Sequence, residues 1–131
     1  MMQSNKLLRE LMLPYPPSVN HYWKHFRGRT IIGAVGRKYH RDVAEQLGEI
    51  GKPLDCRLAV EVYCWMPDRR MRDIDNVAKC ALDSLTKVGI WCDDNQIDRL
   101  VLERCGVCSP GWLDVRIFEM PDWAKPRKGK R

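Results

Sequence analysis

No apolar run in the 131-residue chain is long enough to cross a bilayer, so a membrane-spanning role is not expected. There is no low-complexity tract and no internal repeat, which excludes solenoid and fibrous architectures. The first residues, MMQSNKLLRELML, carry charges within their apolar part and lack a small-residue cleavage site, so they do not read as a secretion signal. Acidic residues are in deficit: 17 Asp and Glu against 23 Lys and Arg leave a formal charge of +6, which favours an anionic partner, nucleic acid first. Six cysteines are present, but in a chain expected in the reducing cytoplasm they are read as thiols. Cys105 and Cys108 form one CxxC in CGVC with no second CxxC, which leaves a tetrahedral zinc site two ligands short.

The cations are clustered: KHFRGR (24–29), GRKYHR (36–41), DRRMR (68–72) and KPRKGKR (125–131), two of these runs interleaved with aromatic residues. That mixture suits phosphate contact combined with stacking on bases or sugars. His21 and His25 stand four apart, yet the preceding proline-rich PYPPS makes a helical metal pair there a poor expectation.

Periodicity divides the chain in the order β-α-β-α-β-β. Residues 6–13 alternate as a strand, and 18–35 read as a long loop with a short strand at Thr30–Ile32. Tyr39, Val43, Leu47 and Ile50 mark a helix that Gly51 and Pro53 end. Leu58, Val60, Val62, Cys64 and Met66 alternate as the clearest strand. Two further strands follow at 96–104 and 112–120, with GVCSPG between them suggesting a hairpin. The expected fold class is an α/β (α+β) sandwich: one domain over 1–120, a small mixed sheet with helices packed on it, and a basic tail at 121–131.

The central stretch, PDRRMRDIDNVAKCALDSLTKVGIWCDDNQID, concentrates the chemistry. Ile74, Val77, Ala78, Ala81, Leu82, Leu85 and Val88 form a 3.6-period stripe closed by Gly89. Asp73 and Asp75 stand at the start of that helix, Lys79 one turn on, and Asp93 and Asp94 beyond its end. A few carboxylates beside a lysine and arginines are what Mg²⁺-assisted phosphodiester hydrolysis requires. The geometry is demanding, because a helix over 75–88 is roughly 20 Å long. Asp94 reaches Asp73 only if residues 89–94 return nearly extended, about 3.3 Å per residue. The plainer alternative makes DIDN a helix start and WCDDNQ a polar turn, in a basic DNA-binding module without catalysis.

LPYPPSVNHYW, GRKYHRDVA and MPDRRMRDIDNVAKCALDSLTKVGIWCDDNQI together resemble the RusA-type Holliday junction resolvases of phages and prophages, over about residues 13–120. The resemblance implies a homodimeric Mg²⁺-dependent endodeoxyribonuclease, with Mn²⁺ as substitute, that nicks four-way DNA junctions symmetrically in a bacterial host cytoplasm. It places the essential acids at Asp73, Asp75 and Asp94, also as metal ligands, and the catalytic lysine at Lys79. Arg72 is implied as a DNA contact. Arg69, Arg70, Arg27, Arg29, Arg37 and Lys38 join it as candidate phosphate contacts on the strength of the basic runs.

Overall fold

The computed structural model describes residues 5–18 and 23–123. Its strands are β1 (Leu7–Pro14), β2 (Trp23–Phe26), β3 (Arg29–Ile32), β4 (Leu58–Met66), β5 (Ile97–Val107) and β6 (Trp112–Glu119). The helices are α1 (Ala34–Leu47) and α2 (Ile74–Val88), and a short 3₁₀ turn at Asp94–Gln96 precedes β5. His21 and the basic run 125–131 lie outside the described residues.

A four-stranded mixed sheet has the order β1-β6-β4-β5. Strand β4 pairs antiparallel with β6 and parallel with β5, as the mixed-sheet expectation required. Parallel neighbours cannot be joined by a tight turn, so α2 serves as the crossover between β4 and β5. The alternating residues of β4 supply the buried face: Leu58, Val60, Val62, Cys64 and Met66. They meet Tyr39 and Val43 of α1, Val77, Ala81 and Leu85 of α2, and Leu113, Val115 and Ile117 of β6 in one core. Each Val, Leu, Ile or Met among them contributes roughly 1.5–3 kcal/mol when fully buried. Cys80 and Trp91 are also buried, so Cys64, Cys80 and Trp91 are core groups, as their apolar settings suggested.

Polar contacts fix the helices in place. The buried Tyr39 hydroxyl donates to the Pro14 carbonyl at 2.7 Å, tying α1 to the end of β1. His40 of α1 faces α2, with Nδ1 2.9 Å from Ser84 Oγ and Nε2 3.4 Å from Asp83 Oδ2. Asp83, one turn past Lys79, is therefore an interhelical group. Burial holds the His40 pKa below its ordinary value, against the opposing charge of Asp83.

Three local expectations are corrected. The loop at 18–35 contains the hairpin β2–β3, whose turn residues Arg27 and Gly28 both have positive φ, 51° and 72°. Helix α1 stops at Leu47, where Gly48 (φ 65°) turns the chain, before Gly51 and Pro53 are reached. Finally, β5 and β6 are not a hairpin, because β4 lies between them. The 108–111 connection instead passes over the end of β4, where Cys108 N–H donates to the Met66 carbonyl at 2.8 Å.

Gly111 permits that passage. A Cβ there would lie 2.8 Å from Pro67 N and 2.9 Å from the Trp65 carbonyl oxygen, both backbone, at a φ of +83°. Gly111→Ala is expected to destabilise the chain by more than about 1 kcal/mol, read as a lowered urea midpoint with an unchanged slope.

Candidate active site

Strand β4 ends at Met66, and the next residues turn the chain into α2. Asp68 organises this turn: its carboxylate accepts the Arg70 N–H at 2.9 Å and pairs with Arg72, Nη2 to Oδ2 at 3.1 Å. Arg104 of β5 donates to the Arg72 carbonyl at 2.8 Å. The Arg72 guanidinium lies 5.8 Å from the ring centre of Tyr15, within cation–π range. Sequence reasoning did not single out Asp68, Tyr15 or Arg104. Only the tertiary fold sets β1, β5 and the β4–α2 turn side by side.

Asp73 is the N-cap residue of α2, which begins at Ile74. Its backbone is extended (φ −79°, ψ 130°) and its side chain makes no capping hydrogen bond, so the carboxylate is not spent on helix amides. Tyr15, Pro17, Arg70, Arg72, Asp73 and Asn76 line a cavity of about 580 Å³. Asp75 and Lys79 are exposed on the first turns of the same helix, and α2 begins with its partial positive charge facing this corner. Cations, a carboxylate and a helix start around one hollow make a seat for a phosphate group, with acids at hand for a hard cation.

Asp94 is elsewhere. Gly89 (φ 88°) ends α2, the Ile90 carbonyl accepts from Leu54 N–H, and Trp91 pairs with Leu54. The chain then enters β5, whose first residue is opposite Leu58, the first of β4. Fifteen residues of helix, about 22 Å at 1.5 Å each, thus separate the two ends. Residues 89–94 turn back beside α2 as far as Asp83, and among the described residues Asp94 does not join Asp73 and Asp75 in a group able to hold a metal. The charges close to Asp94 are those of Asp93 and Asp83. Partial burial, a hydrogen bond with Asp93 and these like charges raise the Asp94 pKa above the usual carboxylate value. Among the described residues, no three His, Cys, Asp or Glu side chains are grouped closely enough to hold a metal.

The Asp94 turn is nonetheless firmly built. Asp93 accepts the Asn95 N–H at 3.0 Å, and Gln96 Oε1 accepts the N–H groups of Cys92 and Asp93, each at 2.8 Å. Gln96 Nε2 donates to the Leu54 and Cys56 carbonyls at 3.0 and 2.9 Å, so this buried amide is fully used. Asp93-x-x-Gln96 is a capping-box pattern, a signal that was present in the sequence.

Of the other candidate cations, Arg69 is exposed on the 67–72 turn, and Arg27 and Arg29 sit at the tip of the β2–β3 hairpin. Arg37 donates to the Ile32 carbonyl at 2.8 Å and Lys38 pairs with Asp42 at 2.9 Å, both on the first turns of α1. None of these five lines the cavity; Arg70 and Arg72 do.

The hydrogen bonds from Arg72 and the Arg70 N–H hold the Asp68 pKa at about 2. A carboxylate with a lowered folded pKa stabilises the fold above its ordinary value of 3.8 and loses that contribution as pH falls through about 2. Carboxyl NMR of Asp68 is therefore expected to show no titration between pH 7 and the ordinary carboxylate range, with the midpoint near the lower value. Arg72→Ala is expected to return it toward the ordinary one.

A family model described as Endodeoxyribonuclease RusA matches residues 14–117. The chain is 43% identical over 114 residues to the crossover junction endodeoxyribonuclease of Enterobacteria phage 82, covering 84% of this chain and 93% of that protein. It is 41% identical, at the same coverage, to the crossover junction endodeoxyribonuclease of Escherichia coli K12 and to that of Shigella sonnei. With Asp73, Asp75, Lys79 and Asp94 all inside the matched span, the chain belongs to the RusA family of endodeoxyribonucleases.

Proposed function

We propose that this protein is a junction-resolving endodeoxyribonuclease that cuts four-way DNA by paired symmetric nicks, using Mg²⁺ or Mn²⁺, within a bacterial host cell and of phage or prophage origin. The observation that carries the proposal is the family match across the whole central stretch. The cavity joining Arg70 and Arg72 to Asp73 supports it.

Asp73, Asp75 and Asp94 are the proposed ligands, and their carboxylate oxygens suit a hard cation. A bound Mg²⁺ would offset charge on the phosphate and lower the pKa of a coordinated water. Arg72, already oriented by Asp68 and Arg104, offers its remaining N–H groups to a backbone phosphate. Arg70 and Arg69, exposed beside it, extend that contact. Lys79, one turn beyond Asp75, places its ammonium near the cut phosphate, where negative charge builds. Arg27, Arg29, Arg37 and Lys38 contribute longer-range attraction to the DNA backbone.

The active unit in this proposal is a homodimer, and the separation of the acids gives a reason beyond substrate symmetry. One chain holds Asp73 and Asp75 at the start of α2 and Asp94 beside Asp83, further along the same helix. Two copies related by a two-fold axis, with their α2 helices antiparallel, would set each Asp94 beside the other copy's Asp73 and Asp75. Two equivalent composite sites would then face two strands of a junction.

Cleavage of a synthetic four-way junction tests both parts. Asp75→Asn and Asp94→Asn are each expected to abolish Mg²⁺-dependent nicking, while a refolded mixture of the two recovers single nicks through dimers that keep one intact composite site. Full activity of Asp75→Asn alone would overturn the hydrolytic reading in favour of a basic DNA-binding module. A mixture without recovery would remove the shared site. Lys79→Ala is expected to slow cutting by about 10²-fold or more, as for loss of a charge-stabilising donor, with junction affinity in the absence of metal nearly unchanged.

A further inference from the structure

Trp123 lies past the last strand and past residue 117, where the family match ends, and its side chain is 71% exposed. An indole so exposed contributes little to a core, yet both its polar edge and its face are engaged. Its Nε1 donates to Asp98 Oδ2 at 2.8 Å, and the Arg57 guanidinium lies over its ring at 4.9 Å. Arg57 in turn reaches Asp98 through Nε at 3.2 Å and donates through Nη2 to the Asn95 carbonyl at 2.8 Å. Asn95 adjoins Asp94 in the short 3₁₀ turn, and Asp98 is the second residue of β5.

These contacts form a brace whose far end is the Asp94 turn. Gln96 fixes that turn from the inner side, through Leu54 and Cys56. Arg57 fixes it from the outer side, through Asn95 and Asp98. Trp123 confines Arg57: the ring covers one face of the guanidinium, and the indole N–H fixes the carboxylate that Arg57 must reach. A three-residue turn closed by i to i+3 bonds has little rigidity of its own. A metal-binding carboxylate must be held to about 0.5 Å by its supporting shell.

We infer that Trp123, acting through Arg57 and Asp98, is a positioning residue for the Asp94 carboxylate, so that a segment beyond the matched family region serves the reaction. The inference rests on the proposed role of Asp94 in nicking. The competing explanation is a surface brace that only adds stability, or a launching point for the basic tail that only adds affinity. Neither would change how the reaction depends on metal concentration.

The test uses the full chain with Trp123→Ala, Trp123→Phe and Asp94→Asn. Single-turnover nicking of a four-way junction is followed across Mg²⁺ concentration, alongside junction Kd without metal and the thermal midpoint. Asp94→Asn is expected to be inactive. Trp123→Ala is expected to lower the rate, and to raise the half-saturating Mg²⁺ concentration, by about tenfold each, the lower range for losing a group that orients a metal ligand. Trp123→Phe keeps the ring under Arg57 but not the N–H, and is expected to fall between Trp123→Ala and the parent. Parent-like rate and Mg²⁺ dependence in Trp123→Ala, with Asp94→Asn inactive, overturns the inference and leaves the proposed function intact. So does a loss confined to junction Kd or to the thermal midpoint. An Asp94→Asn protein that nicks normally overturns the role of Asp94 itself, whatever Trp123→Ala does.

Discussion

The parallel pairing of β4 with β5 sets the geometry on which the rest depends. Two parallel neighbours must be joined by a connection that travels the length of the sheet, and here α2 makes that journey. Its apolar stripe packs in one core with Val60 and Val62, while it carries the chain from the end of β4 back to the start of β5. Asp73 precedes the helix and Asp94 follows it, and Asp94 comes to lie beside Asp83, not in a metal-holding group with Asp73 among the described residues.

Each end of α2 has its own supporting network. At the N-terminal end, Asp68 draws in Arg70 N–H and the Arg72 guanidinium, and Arg104 fixes the backbone from β5. Cations are held beside Asp73 by local charge pairing, so the cavity they line is largely preformed. At the C-terminal end, a single buried amide, Gln96, accepts from two N–H groups and donates to two carbonyls. Arg57 and Trp123 add an outer layer. The homodimer proposed above would bring the two networks of different copies together across a two-fold axis.

The 67–72 turn shows how position in the fold changes the meaning of a charged run. Read in isolation, DRRMR is a run of equivalent candidate phosphate contacts. In the fold its aspartate and last arginine pair with each other, Arg70 joins Arg72 in lining the cavity, and Arg69 is left exposed. A similar division runs through GRKYHR: Arg37 is bound to the Ile32 carbonyl, Tyr39 is buried, and His40 faces α2.

Periodicity alone determined much of this protein. The alternation from Leu58 to Met66, the stripe from Ile74 to Val88 and the helix stop at Gly89 follow from side-chain period and backbone sterics, which are local properties. The stretch from Pro67 to Asp98 likewise carried the resemblance to the family, because residue types and spacing are visible without a fold. Strand neighbours were not legible: placing β4 between β5 and β6 depends on which long-range pairing buries the most apolar surface, and no local pattern records it. Nor was the separation of Asp94 from Asp73 legible, since chain length permitted either a return or a departure. Only the tertiary structure decided where residues 90–97 go, by committing them to Leu54, Cys56 and Leu58 at the start of β4.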